Sequence, residues 1–469
     1  MIFLKFILCL SNFLLFGFFL MKLAIYPRQQ FAQLGFIEKA VLSFGLGTGF
    51  VGLGTLLLSF SHTLDLYVLL AYQVLVLAVC YVLYRIRHKT ADDVIVLVPK
   101  KQKSAISLIV IFFSLLIAWE VFYIFSEAAC LPFVAWDAWG NWGMKAKMIY
   151  FEKSFPYKLW TQLPWMRHPD HLEYPLLMPY LEVYTYLFLG KIYEPLAKLF
   201  CSQYYLGLLA LFFVHLRKDF SDTFALGACF CLATVPTIVD VAYSGYMDIA
   251  LVFFVSAGVL YVWRYMRAQN NVDLLVGSLF VGLGTWVKNE GLSFWIALFF
   301  SCVALCLFRS LKVDKKRLLC SIFFIPLVIY LPWAIFKHRF AIEIGCLNNS
   351  LENIIPSIGH RLMIMFNAGK MSCFNPGQWN IFWFVFILSV VKFLIKPKDK
   401  FLAFFLFILF FQLMFYAVVF IVWPVSNQTI DLYIFSAMER LPLQTLPLAL
   451  FFMCQQAGKL FIVKREEHV

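Results

Sequence analysis

ISLIVIFFSLLIAWEVFYIFSEAA, Ile106 to Ala129, carries two charges, Glu120 and Glu127, in a run longer than the roughly 20 apolar residues that cross a bilayer as a helix. The basic run Lys100-Lys101-Gln102-Lys103 precedes it, and the stretch Val134-Ala135-Trp136-Asp137-Ala138-Trp139 follows it. Positive charge resists translocation, so the lysines mark a cytoplasmic start and the Trp-rich stretch an outer finish. Runs of the same kind recur along the chain. They predict spans near 4–21, 40–60, 65–84, 106–129, 195–216, 222–240, 247–265, 273–287, 290–308, 317–336, 379–395, 401–423 and 441–461.

The fold class expected is therefore an all-α polytopic membrane protein of about thirteen transmembrane helices. Composition agrees: of 469 residues, 62% are hydrophobic and only 14% charged, whereas a soluble domain is nearer half apolar and a quarter charged. The mean hydropathy of +0.82 points the same way. Disorder, collagen, coiled coil and a small disulfide scaffold are excluded, and continuous rather than alternating apolar runs speak against a porin-type barrel. The net charge of +13 sits in short clusters between spans, such as Arg85-Ile86-Arg87-His88-Lys89, Arg217-Lys218 and Lys315-Lys316-Arg317. That distribution is a topology signal and builds no track for nucleic acid.

Placing Arg85–Lys103 in the cytoplasm fixes the other loops by alternation and leaves two outer segments, 130–194 and 337–378. Lys5 fits this map badly, because a cation before an outer-to-inner first span prefers the cytoplasm. Leu176–Gly190 is short for a crossing and is expected to lie in the outer interface, with Glu182 and several Tyr near the headgroups. The helices 273–287 and 290–308 read as a tight re-entry at the outer surface. The sequence shows no internal repeat and no low-complexity linker, so one membrane domain is the economical reading.

Ionisable groups near a membrane are the informative residues in so apolar a chain. Asp137 stands among Trp136, Trp139 and Trp142, ahead of Lys145 and Lys147. A carboxylate against aromatic walls is tuned toward general-base work, and it is equally suited to cap the helix that follows. His168-Pro169-Asp170-His171-Leu172-Glu173-Tyr174-Pro175 sets two His and two carboxylates in a polar turn, and its alternatives are a divalent-cation site or an ordinary solvated turn. Asp248 opens a span as either a cap or a cavity residue. Lys288, in Trp286-Val287-Lys288-Asn289-Glu290-Gly291, has Glu290 or a lipid phosphate as its partner. Glu439-Arg440-Leu441-Pro442 brings a guanidinium to the outer end of the last span. Glu120, inside its span, also needs a partner. Outer carboxylates and cations beside an aromatic belt suit a lipid-linked phosphate donor, with the anion on Lys or Arg and a carboxylate to deprotonate an acceptor hydroxyl.

Trp136-Asp137-Ala138-Trp139, Glu173-Tyr174-Pro175-Leu176-Leu177, Met247-Asp248 and Lys288-Asn289-Glu290-Gly291 occur in an order that resembles the GT-C superfamily of integral-membrane glycosyltransferases. The closest similarity is to the bacterial RgtA/B/C/D-like and protein O-mannosyltransferase-like group, which includes the lipid A aminoarabinose transferases. It covers about 106–310, with Arg440-Leu441-Pro442 adding to it. It implies three additional N-terminal helices with a basic loop (1–105), a core (106–310) and C-terminal helices (311–469). The resemblance implies a GT-C-like core with interfacial helices on the outer face, a polyprenyl-phosphate sugar donor, and inverting transfer to a lipid, glycan or protein acceptor. It places the chain in a bacterial inner membrane with its active site facing the periplasm or exterior. Asp137 and Asp248 are the catalytic residues so implied; Lys145, Lys147, Lys288, Arg440, Trp136, Trp139 and Tyr174 are the substrate and phosphate set. Glu173, with His168 and His171, is the set for a divalent metal ion. Tyr174 departs from the Lys that many relatives carry before that Pro, and a single acid, Asp137, stands where some have a pair. The competing reading is a polytopic transporter or lipid flippase, whose marks, inverted repeats with broken helices, are not seen in the sequence. Cys346 and Cys373 share the second outer segment and are a candidate disulfide in an oxidising compartment. Asn348-Asn349-Ser350 and Asn427-Gln428-Thr429 are sequons.

Overall fold

The computed structural model describes residues 1–87, 107–157, 172–307, 313–342, 351–396, 399–423 and 427–458. Its helices run α1 (Ile2–Leu20), α2 (Arg28–Gln33), α3 (Phe36–Ser59), α4 (Leu66–Arg87), α5 (Leu108–Cys130), α6 (Met144–Glu152), α7 (Leu177–Leu189), α8 (Glu194–Leu216), α9 (Asp222–Ala233), α10 (Pro236–Ser244), α11 (Asp248–Ala268), α12 (Asn271–Gly284), α13 (Glu290–Leu307), α14 (Lys315–Arg339), α15 (Leu351–Cys373), α16 (Pro376–Trp379), α17 (Phe382–Ile395), α18 (Ala403–Val422), α19 (Asn427–Met438) and α20 (Leu446–Ala457). The described residues contain no strand. The chain is an all-α, multi-pass membrane protein. Among the described residues nine helices are long and apolar enough to cross a membrane, ten if one bent pair counts as a span.

That bent pair is a departure from the sequence reading. The run expected as one span over 222–240 is α9 and α10, set at 68° to each other. Pro236 is the first residue of α10, and proline continues no helix because it lacks the N–H and its ring clashes with the preceding turn. Helix starts elsewhere follow their capping side chains: Ser107 accepts from the Val110 amide, Ser221 from Phe224 and Asp314 from Arg317.

α11 is the axis of the molecule, buried along nearly its whole length between α8, α12 and α13. α5 lies at the periphery, with Leu115 and Trp119 exposed, as expected of a face toward lipid. α7 is a second departure. Tyr180, Leu181, Tyr184 and Tyr186 are fully buried and Glu182 nearly so, because α1, α3 and α6 pack over this helix. Two of its tyrosine hydroxyls meet protein partners: Tyr180 shares a hydrogen bond with Ser59 at 2.7 Å, and Tyr184 donates to Asn12 at 2.7 Å. Composition alone could not separate these cases, since a short aromatic helix is equally at home in an interface or under a cover.

The cover depends on close backbone approach. A Cβ on Gly47 would stand 2.0 Å from the Phe13 carbonyl oxygen, so α1 and α3 touch main chain to main chain. Lys5 is accounted for here. Its amine donates to the Leu189 carbonyl at 3.2 Å, at the C-terminus of α7, where the helix dipole favours a cation.

Candidate functional site

α11 begins at Asp248, whose side chain is only 3% exposed. Oδ1 of this carboxylate accepts from the Lys288 amine at 3.1 Å and from the Gln444 side-chain amide at 3.0 Å. Oδ2 stands 3.5 Å from Arg440 Nη1. The side chain is thus committed to cations and an amide from other elements. Lys288 also pairs with Glu290 at 3.1 Å, the local partner read from the sequence, and its second partner, Asp248, was not among those read for it.

The turn carrying Lys288 is tight for a definable reason. A Cβ on Gly291 would lie 2.2 Å from the Gly284 carbonyl oxygen, so only glycine lets α13 start this close to the end of α12. The same turn meets the Pro-containing motif: the Leu177 amide donates to the Trp286 carbonyl at 3.1 Å, and the Tyr174 ring lies 5.8 Å from the Lys288 amine. Trp333 donates to the Glu173 carbonyl at 3.4 Å, fixing the motif from the other side.

Asp137 reaches this cluster through Arg440. The guanidinium donates to Asp137 Oδ2 at 2.8 Å, from the same nitrogen that faces Asp248. Asp137 makes no side-chain capping bond to the turn Ala138–Gly143 that follows it, so the ion pair and not the cap accounts for its position. Arg440 also lies over the Tyr246 ring at 4.2 Å, a cation–π contact that orients the planar group. Asp137 and Arg440 are 28% and 27% exposed, against 3% and 9% for Asp248 and Lys288. The outer pair therefore faces the entry and the inner pair the protein.

Asp137, Asp248, Lys288, Arg440 and Tyr174 are thus brought together. Lys145 is buried on α6 with its amine 5.3 Å from the Trp142 ring, and Trp142 packs on Tyr174 at 5.5 Å. Lys147 is drawn away by Glu194 at 2.5 Å. Trp136 and Trp139 are exposed and set edge to face at 4.7 Å beside Asp137 in the chain. His168, His171 and Cys346 lie outside the described residues, and Cys373 is half-buried. Among the described residues no group of three His, Cys, Asp or Glu side chains is placed to hold a metal ion. The carboxylates of Asp137, Asp248 and Glu290 are each paired with Lys288 or Arg440. Sequence reasoning missed Gln444 and the Tyr246 ring. The available signal was an amide four residues after Arg440 in the apolar turn Leu441-Pro442-Leu443-Gln444.

Burial alone would lower the Lys288 pKa, but Asp248 and Glu290 beside it hold it above the usual lysine value. Lys288 is a fixed cation at any working pH. Burial, reinforced by Glu290 and Glu173, pushes the Tyr174 phenol well up, so it stays a neutral donor. Away from this cluster, burial holds the Glu182 carboxyl well above the usual carboxylate range, with Glu194 adding to the effect and Lys147 opposing it.

A second set of charges lies at the other end of α11. Arg264 pairs with Glu38 and, at 3.1 Å, with Asp273, and Lys218 stands 3.5 Å from Glu38. The Tyr261 hydroxyl donates to Glu38 at 2.8 Å.

Residues 175–336 match the family model described as dolichyl-phosphate-mannose-protein mannosyltransferase. That family is one of the GT-C superfamily, membrane glycosyltransferases that use polyprenyl-phosphate sugars. The matched span holds Asp248 and Lys288 and leaves Asp137, Tyr174 and Arg440 outside it. No curated protein and no solved structure matches the chain.

Proposed function

We propose that the protein transfers a sugar from a polyprenyl-phosphate donor to an acceptor hydroxyl, with inversion, at the end of the membrane where α11 begins. The observation that carries this is the meeting of Asp137, Asp248, Lys288 and Arg440, residues up to 303 positions apart, at one partly exposed site. Arg217, Lys218, Arg264 and Arg267 gather at the opposite end of the bundle, which supports an outward, periplasmic orientation in a bacterial inner membrane.

Arg440 is the cation we assign to the donor phosphate, because it is the more exposed of the two and its guanidinium suits bidentate oxygens. Lys288 is held between two carboxylates and serves to keep Asp248 in place. When the phosphate takes Arg440, Asp137 loses its partner and is free to accept a proton. The acceptor oxygen then attacks the anomeric carbon as its proton passes to Asp137. The bond from that carbon to the phosphate oxygen breaks with its electron pair, and Arg440 stabilises the charge that develops there. One displacement of this kind inverts the anomeric centre. The exposed Trp136 and Trp139 supply flat apolar surface for a sugar or lipid at the rim. The reading makes no use of a metal ion at Glu173, His168 and His171, which stays a separate proposal tested by activity after chelation.

The test is transfer of radiolabel from a polyprenyl-phosphate sugar by purified wild type and Asp137→Asn. Undiminished transfer by the variant removes Asp137 from the mechanism. The bent pair α9–α10 favours a second reading, translocation of a lipid, since broken helices line transport paths. Movement of fluorescent lipid across liposomes without sugar transfer would establish that reading over the first. Mass spectrometry of envelope glycans with and without the gene names the sugar and the acceptor.

A further inference from the structure

Gln444 is fully buried and bonded on both ends of its amide. Its Nε2 donates to Asp248 Oδ1 at 3.0 Å, and its Oε1 accepts from the Tyr416 hydroxyl at 2.6 Å. The assignment of nitrogen and oxygen is forced, because a carboxylate only accepts and must face the NH2 group. With Lys288 on the same oxygen, Oδ1 is fully committed. Oδ2 is buried, receives no hydrogen bond, and faces Arg440 at 3.5 Å.

Arg440 and Gln444 are four residues apart on one short turn, Leu441–Thr445 being 3₁₀ helix, and they hold the two oxygens of the same carboxylate. Tyr416, on α18, anchors that turn through Gln444. We infer that Gln444 is a positioning residue: it turns the Asp248 carboxylate so that its one free oxygen faces Arg440, and it sets the Arg440 turn on the start of α11. The inference rests on the proposed function, because it assumes that Arg440 receives the donor phosphate. An amide is required at this position. A hydrocarbon leaves Asp248 Oδ1 and the Tyr416 hydroxyl short of a partner, and a carboxylate confronts Asp248 directly.

The charged and titratable groups that face this position are Asp248, Lys288, Arg440 and Tyr416, with Glu290 and Asp137 behind them. Gln444→Glu is isosteric and regains a donor only when protonated. The probe is a polyprenyl phosphate without sugar, bound to the full chain in nanodiscs, with Kd measured from pH 5 to pH 8. Dividing the variant Kd by the wild-type Kd at each pH removes the titration of the phosphate itself. We expect the ratio to be about tenfold or more at pH 8 and to fall toward one as the pH drops, a tenfold ratio being about 1.4 kcal/mol. Gln444→Met should show a loss that does not change with pH, and Tyr416→Phe a smaller loss of the same kind. Melting curves verify that each variant is folded; if Gln444→Glu is not, the Met and Phe variants decide, and unchanged affinity in both overturns the inference. A Gln444→Glu ratio that stays flat with pH also overturns it. If the wild type binds no polyprenyl phosphate, the assignment of the phosphate to Arg440 fails instead, and the inference falls with it.

Discussion

The two ends of α11 carry the same kinds of residue and use them differently. At one end Arg264 is clasped by Glu38 and Asp273, with Lys218 and the Tyr261 hydroxyl completing the shell around Glu38. At the other end, roughly 24 Å away by the rise of the helix, Arg440 is shared between Asp137 and Asp248 through a single nitrogen. The first cluster joins α3, α11 and α12 through two buried acids and a partly buried Arg264, with Lys218 at the surface, an arrangement suited to holding three helices in register. The second keeps its inner pair buried and its outer pair more than a quarter exposed, and each cluster leaves one buried carboxylate oxygen without a hydrogen bond, Asp273 Oδ1 in the first and Asp248 Oδ2 in the second. At the first end each acid has its own nitrogen of Arg264, whereas at the second one nitrogen serves both acids, which makes Arg440 the replaceable member.

The largest expected effects come from removing that member or the base that it holds. Arg440→Ala should lower transfer by about 10²–10³-fold, the scale of losing one electrostatic donor at a developing charge, while the protein still folds. Steady-state transfer rates on folded protein measure this, and a loss under threefold would abolish the distinction between the ends. Asp137→Asn should lower the rate by about 10²–10⁴-fold, as for a lost general base, with donor affinity retained or improved because Arg440 is released. Weaker donor binding in that variant would contradict the sharing of Arg440. At the opposite end, Glu38→Gln should destabilise the fold by roughly 1.5–3 kcal/mol, as for a lost hydrogen bond to a charged group, and leave transfer by the folded fraction within about twofold. Loss of transfer in well-folded Glu38→Gln would make the two ends one coupled system.

The smallest effect concerns Glu182, which belongs to neither end. Its carboxyl is held above its unfolded pKa by burial, so the folded state retains the proton. Stability from that neutral form is complete below the unfolded pKa, near 4.3, and is lost as the pH rises through the folded value. Glu182→Gln keeps the neutral form at every pH. Thermal melts should therefore show the variant more stable than wild type at high pH and equal to it at pH 4, and a pH-independent difference would refute this origin.

Much of the fold was legible because its signal is local. Continuous apolar runs needed no partner to be read as spans, and the basic clusters after 216 and before 317 needed only their sign. Of the site, Asp137, Asp248, Lys288 and Arg440 stood out because an ionisable group in so apolar a chain is costly and demands a reason. Gln444 did not stand out, since an amide near a helix end has many ordinary uses. The protein cover over Leu176–Gly190 was not legible, because its aromatic surface reads identically whether lipid or protein covers it. The run over 222–240 was read as one span because hydropathy averages across Pro236 and is blind to direction.

The sequence by itself determined that the chain is a helical membrane protein, which of its loops are basic, and which few charges are conspicuous. Each of those follows from transferring residues one at a time between water and hydrocarbon. Only the tertiary structure decided partners: that Arg440 joins Asp137 to Asp248, that Glu194 takes Lys147, and that Tyr416 fixes the Gln444 amide. A hydrogen bond or ion pair is a property of two groups a few ångströms apart, and spacing along a chain of 469 residues does not contain that distance until the helices pack.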